Sequence, residues 1–216
     1  MDTFLSLLKK MKCVSIDIGW RNLSYCVLIV NEMDYTIDKW EIFDLMPIEN
    51  EININTTCLE DLIKMCAPKI NEFIDLFLNQ SIEIAYLELQ PLGPMARNIK
   101  TKTLSHILQT LFIAKNIAVE FISPNKKLKG MERGNSYAAN KKFAVQKVQE
   151  LLINNDWLEK FNKHRKKDDL ADAFLQGLYS AKETFIIKKI KKPRQKKPKR
   201  NAHEITLQNV ADEILL

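Results

Sequence analysis

Two short apolar runs, KCVSIDIG at 12–19 and SYCVLIVN at 24–31, constrain this chain more than any other feature. Both carry β-branched residues, and only WRNL separates them. Runs of this length, the first interrupted by one acid and closed by Gly19, read as strand, tight turn, strand. A third candidate strand at 36–43 extends the same antiparallel ladder.

From there the apolar spacing becomes helical at 59–78, with Pro68 marking either a break or the start of a second helix. The run SIEIAYLEL at 81–89 reads as a strand, ended by the breaker cluster QPLGP. Residues 103–115 read as a helix, 118–122 as a short strand, and 140–152 and 168–182 as two further helices. Three strands, helix, strand, helix, strand, helix, helix is an α/β order. It predicts a mixed sheet flanked by helices, because strand-to-helix crossovers demand parallel pairing in part of the sheet.

A chain of 216 residues that is 46% hydrophobic can bury one substantial core. The expected organisation is an N-terminal extension at 1–11, one main domain at 12–190, and a basic linker with a short C-terminal segment at 191–216. The linker, KKPRQKKPKR, has no apolar face and contains two prolines. It reads equally as a DNA arm or a nuclear localisation signal. The segment HEITLQNVADEILL can form a short amphipathic helix.

The apolar part of MDTFLSLLKK is too short for a signal peptide, and no run approaches the ~20 apolar residues of a membrane span. The expectation is therefore an intracellular protein with reduced thiols. Cys13, Cys26, Cys58 and Cys66 form no CxxC pair, and His106, His164 and His203 are not spaced with them as zinc ligands are, which speaks against a structural zinc site.

Net charge is +6 and the pI is near 9.0. Its distribution says more: acids outnumber bases 16 to 11 over residues 1–120, whereas Lys and Arg outnumber Asp and Glu 22 to 8 over 121–200. Concentrated cations suit a polyphosphate partner, because they release condensed counterions from nucleic acid.

An ionised Asp inside an apolar strand is costly to desolvate, so Asp17, between Ile16 and Ile18, needs an account. Strand alternation offers one, with Asp17 facing water and its neighbours the core. The same holds for Glu88, between Leu87 and Leu89. Asp169 and Asp172, three apart at the start of a helix, project from roughly one face, and acids there also favour the helix dipole. Taken together, the four acids make a different case. Two strand-borne and two helix-borne carboxylates can converge on Mg2+, which prefers carboxylate oxygens and retained waters. Two such ions activate a water and stabilise the leaving oxygen in phosphodiester hydrolysis.

The segments SIDIGWRN, YLELQP, ISPNKKLKGMERGNSYAANKKFAV and RKKDDLADAF resemble, in order, the four motifs of the poxvirus-type Holliday junction resolvases, relatives of bacterial RuvC in the ribonuclease H superfamily. The resemblance covers roughly residues 12–182. It implies a ribonuclease-H-like fold and a Mg2+-dependent endonuclease making paired nicks in four-way junctions, with two ions per site and Mn2+ able to substitute. It also implies a homodimer, whose two-fold axis matches that of the junction, and a source in a large DNA virus, acting in the infected cell.

By that resemblance Asp17, Glu88, Asp169 and Asp172 are the metal-binding acids, and a lysine, placed at Lys141, joins them as a catalytic residue. Lys142 beside it and Lys127 in SPNKK are further candidates for contact with DNA. Arg21 and Asn22 either touch phosphate or only form the turn. The helix at 103–115, with Leu104, Ile107, Leu108 and Leu111, reads as core packing rather than a dimer seam. Two departures from the family pattern, the long linker before Glu88 and the tail after Ile190, bear on partners rather than on the chemistry.

Three rival readings remain. The Asp-x-Gly turn followed by Asn also occurs in actin-like and sugar-kinase ATPases, but those need a second glycine-rich loop, and Gly19, Gly93, Gly130, Gly134 and Gly177 are never adjacent. A non-catalytic module for branched DNA accounts for the basic half but not for the four acids. A nuclease acting on RNA–DNA hybrids or flaps would use the same site.

Overall fold

The structure is a computed structural model that describes residues 9–47, 52–91, 98–124, 136–153 and 155–190, without the side chains of Tyr137 and 186–190. Residues 1–8 of the expected extension at 1–11, Lys127 and the expected tail at 191–216 lie outside the described residues. The chain divides into two units, Met1–Phe185 and Ile186–Leu216. The first carries the whole sheet.

Five strands form that sheet: β1 (Met11–Asp17), β2 (Leu23–Val30), β3 (Tyr35–Phe43), β4 (Ile84–Glu88) and β5 (Ala118–Ile122), in the order β3-β2-β1-β4-β5. β1, β2 and β3 pair antiparallel, whereas β4 runs parallel to β1 and β5 parallel to β4. The α/β expectation of a mixed sheet is met. Hairpins need only short turns, while the parallel strands arrive through crossover helices.

The helices are α1 (Leu59–Asp75), α2 (Ile99–Ala114), α3 (Tyr137–Leu151), α4 (Trp157–Lys163) and α5 (Lys167–Ile190). They cover both faces of the sheet. On one face α1 and α2 bury Leu62, Cys66, Ile70, Phe73, Leu104, Leu108 and Phe112 with Val14, Ile16, Tyr25, Val27, Ala85 and Leu87. On the other, α3, α4 and α5 bury Ala144, Val148, Phe161, Leu170, Phe174 and Leu178 with Cys13, Cys26, Leu28, Trp40 and Tyr86. Leu104 and Leu108 of the expected core helix are thus buried, with Ile107 and Leu111 packed beside them.

Several boundaries differ from the sequence reading for identifiable reasons. Pro68 neither breaks α1 nor begins a new helix. It sits on the exposed side of one continuous helix, where water can satisfy the carbonyl that loses its bond. β4 begins at Ile84 rather than at residue 81, because Ser81 has φ of 53° and cannot join an extended strand. α2 and α3 begin earlier than expected, with the Asn98 and Ser136 side chains accepting from the Thr101 and Ala139 amides. α4 was not foreseen. Seven residues are too few to show a helical period, and this helix is held by packing, with Phe161 stacked on Trp40 at 5.1 Å. No helix among the described residues is long and apolar enough to cross a membrane.

Candidate active site

Strand alternation decides where Asp17 and Glu88 point. Cys13 packs on the α5 face of the sheet and Val14 and Ile16 on the α1 face, so Asp17 shares the α5 side with Cys13 and Ser15. On β4, Tyr86 and Ile84 pack on the α5 face and Ala85 and Leu87 on the other, which puts Glu88 on the α5 side too. Asp17 therefore does not face open water opposite the core. It ends its strand on a face covered by a helix, and it is half-buried.

The register brings the two acids together. β1 and β4 are parallel with Ile16 opposite Leu87, so the next step along both strands sets Asp17 beside Glu88. The Gln90 amide, on a buried side chain, donates to Glu88 Oε2 at 3.1 Å.

α5 lies over this end of the sheet, and side-chain bonds hold it there. Ser24, the partner of Asp17 across β1 and β2, donates from Oγ to the Asp169 carbonyl at 2.6 Å. The Trp40 indole donates to the Leu170 carbonyl at 3.0 Å. Gln176 Nε2 lies 3.2 Å from each of Ser15 Oγ, Ile16 O and Tyr86 O. Gly177 lets the helix approach closely: a Cβ there would stand 2.7 Å from Ser15 Cβ and 2.9 Å from Leu28 Cδ1. From Gln176, Asp172 is one turn and Asp169 about two turns nearer the helix start, on the same face. All four acids sit on adjoining elements at one end of the molecule's central strands.

Their side chains are engaged as they stand. Asp169 lies 3.8 Å from the Lys141 ammonium and 4.0 Å from that of Lys166. Lys141, from the second turn of α3, pairs at 2.5 Å with Asp168, an acid that the sequence reading passed over. Burial pushes the Asp168 carboxyl up, but its bond to Lys141, the lysine's charge and nearby backbone N–H groups together hold it below the ordinary carboxylate range. Among the described residues, no group of three or more His, Cys, Asp or Glu side chains is drawn close enough to hold a metal ion. The backbone thus aligns the acids, while the Asp169 carboxylate turns towards Lys141 and Lys166 and that of Glu88 towards Gln90.

Arg21 and Asn22 are exposed in the turn after β1, and Arg21 donates to the Ile52 carbonyl at 2.9 Å. Gly19 closes that turn, since a Cβ there would meet Asn22 O at 2.9 Å. Lys142 is exposed beside Lys141. The sequence reading missed Ser24, Asp168 and Gln176. Gln176 carried a signal, being a polar residue four positions after Asp172 in the apolar run AFLQGL, on the same helix face.

A family model described as "Poxvirus A22 protein" matches residues 11–184. The chain belongs to this poxvirus A22 family. The resemblance to poxvirus-type resolvases read from the sequence is borne out. Solved structures share the fold of the A22-family chain at low identity. The fowlpox virus Holliday junction resolvase matches with a TM-score of 0.54 and 18% identity, over 81% of this chain and 99% of that one. Thermus thermophilus RuvC in complex with a Holliday junction substrate matches at 0.58 and 13%, over 82% and 96%. The yeast mitochondrial Holliday junction resolvase Ydc2 matches at 0.53 and 20%, over 82% and 84%. These likenesses establish the fold, a ribonuclease-H-like mixed sheet with flanking helices. No match was found among the curated proteins.

Proposed function

We propose that this A22-family chain is a Holliday junction resolvase, a Mg2+-dependent endonuclease that makes paired, symmetric nicks in four-way DNA junctions. One observation carries the reading: Asp17 and Glu88 end adjacent parallel strands on one face, and α5 holds Asp169 and Asp172 over the same end. The fold shared with resolvases from a poxvirus, a bacterium and yeast supports the substrate class.

The donor set fits Mg2+ in kind, since every candidate ligand is a carboxylate oxygen. Asp17 and Glu88 would hold the metal from strand ends and Asp169 and Asp172 from the helix, once Asp169 rotates away from Lys141 and Lys166 and Glu88 away from Gln90. Bound there, Mg2+ supplies an activated water and charge neutralisation for phosphodiester hydrolysis. Lys141, aimed at these acids from α3, holds the scissile phosphate by its ammonium. Asp168 keeps that ammonium in place between visits of substrate. Arg21, Asn22, Lys127 and Lys142 contact the DNA backbone, and the excess of Lys and Arg over 121–200 supplies the sequence-independent part of affinity. The protein acts as a homodimer in the virus-infected cell, because paired nicks in a two-fold substrate require two sites related by the same symmetry.

Purified protein is given a labelled immobile four-way junction and a linear duplex of the same sequence, in Mg2+ and in EDTA, beside Asp17→Asn. The expected result is ligatable, symmetric nicks in the junction alone, absent in EDTA and in the variant. Tight junction binding without cleavage in Mg2+ or Mn2+ would overturn the enzymatic reading in favour of a binding module. Cleavage confined to hybrids or flaps would keep the site and reject the substrate.

A further inference from the structure

Among the side chains that hold α5 on the sheet, Gln176 hydrogen-bonds both acid-bearing strands. It is fully buried. Its Nε2 contacts the carbonyl of Ile16, the residue before Asp17, and that of Tyr86, two residues before Glu88. Two of its three neighbours are carbonyl oxygens that can only accept, so the nitrogen end of the amide must face them. Among the described residues the other end, Oε1, has no partner, and neither has the Ser180 hydroxyl one turn further along α5. A buried amide that binds with one end and leaves the other unmet is a poor device for stability alone. Its value lies in what the nitrogen fixes.

We infer that Gln176 is a positioning residue for metal binding: it sets the axial register of α5 against β1 and β4, and so the spacing of Asp169 and Asp172 from Asp17 and Glu88. The argument rests on the proposed metal site. Gly177 allows the helix to come close but leaves sliding along the strands open, because an absent Cβ gives no direction. The Ser24 bond fixes only the first turn, through the Asp169 carbonyl. Three contacts from one planar amide to two adjacent strands add the missing constraint, about one turn from Asp172 and two from Asp169. Sub-ångström errors in such spacing weaken an oxygen-ligated Mg2+ site sharply, since this ion demands near-ideal geometry.

The test uses the full chain and Gln176→Met, which roughly keeps the volume but leaves Ser15 Oγ, Ile16 O and Tyr86 O without this donor, so the metal response is read against the variant's own metal-free Tm. Leu175→Ala is the control for plain loss of packing on the same helix, its side chain being fully buried. Three quantities are read: the rise in Tm on adding Mg2+ or Mn2+, the Mg2+ concentration giving half-maximal junction cleavage, and junction affinity in EDTA. The inference expects Gln176→Met to fold with a lower metal-free Tm, as its former acceptors lose their donor, and to bind the junction as the wild type does in EDTA. It expects at least a tenfold higher half-saturating Mg2+ and a correspondingly smaller metal-induced rise in Tm. Leu175→Ala should lower Tm and leave half-saturation unchanged.

Wild-type half-saturation and metal response in Gln176→Met would overturn the inference, as would an equal rise in half-saturation for Leu175→Ala. A wild-type protein whose Tm is indifferent to metal would overturn it as well. If metal raises the wild-type Tm but no junction is cut, the proposed function fails, and the Tm response of Gln176→Met still decides the role of this residue.

Discussion

The two faces of the sheet are built on different terms. Under α1 and α2 the contacts are mainly apolar and aromatic: Tyr25, Phe73 and Phe77 meet edge to face at 5.1–5.5 Å, Phe77 continues to Phe112 at 5.7 Å, and the buried Ser105 hydroxyl donates back to the Lys102 carbonyl of its own helix. Under α5 a polar file runs through the core, with Ser15, Ser24, Gln176 and Ser180 all buried and the Tyr86 hydroxyl 3.1 Å from Thr184 Oγ1. Aromatic edge-to-face pairs stabilise by about 0.5–1.5 kcal/mol beyond their burial. A buried polar network returns little net stability and carries unmet groups, but it fixes register. Both faces hold the molecule together through apolar cores; the second also carries the polar contacts that aim the acids.

Substitutions can break that comparison. The largest effect on activity is expected from Asp17→Asn or Asp169→Asn, which should lower junction cleavage by at least about 10²-fold, the scale of losing one electrostatic group at a reacting centre. Their thermal stability should stay near wild type, as checked by circular dichroism melting. Lys141→Met should cost cleavage by a smaller factor than either acid substitution, while Asp168→Asn, which loosens Lys141 without removing it, should cost less again. Single-turnover rates order the series, and an Asp168→Asn rate below that of Lys141→Met would refute the anchoring role.

On the apolar face, Phe73→Ala should destabilise by about 3–5 kcal/mol in urea unfolding, yet leave the cleavage rate per folded molecule unchanged. A parallel loss of rate would show that the faces are not separable. Gly177→Ala crosses the two effects. Its Cβ must displace the Ser15 side chain and Leu28, so it should cost about 1–3 kcal/mol and also reduce cleavage by lifting α5.

The smallest effect is a chemical one. Burial, then the charge of Glu83, pushes the Cys13 thiol up to about 12, and burial also raises Cys26 and Cys66. Exposed Cys58 should therefore alkylate first at pH 8, with the other three thiols reacting only as the core opens. Mass spectrometry of timed labelling would read this. Cys66 reports the apolar face and Cys13 and Cys26 the polar one, so their order of exposure says which face opens first.

The elements were largely legible because their signals are local. The alternation in MKCVSID and LSYCVLIV and the helical spacing over Leu59–Asp75 lie within a few neighbouring residues. What escaped was set by contacts distant in sequence. α4 owes its existence to Trp40, more than a hundred positions earlier, and the exposed placement of Pro68 that spares α1 follows from how that helix packs. Asp17 and Glu88 were legible as acids within apolar runs, and all four acids through the resemblance of their motifs. Their arrangement was not.

By itself the sequence determined a mixed α/β sheet, a cation-rich second half, two acids within apolar strands and two at a helix start, because composition, period and charge are written locally along the chain. Only the tertiary structure decided that Asp17 and Glu88 end adjacent strands on one face, that Lys141 meets Asp168, and that Gln176 ties α5 to both strands. Each of these joins segments far apart in the chain. Register between such segments follows from shared burial and hydrogen bonding, which no local pattern of residues encodes.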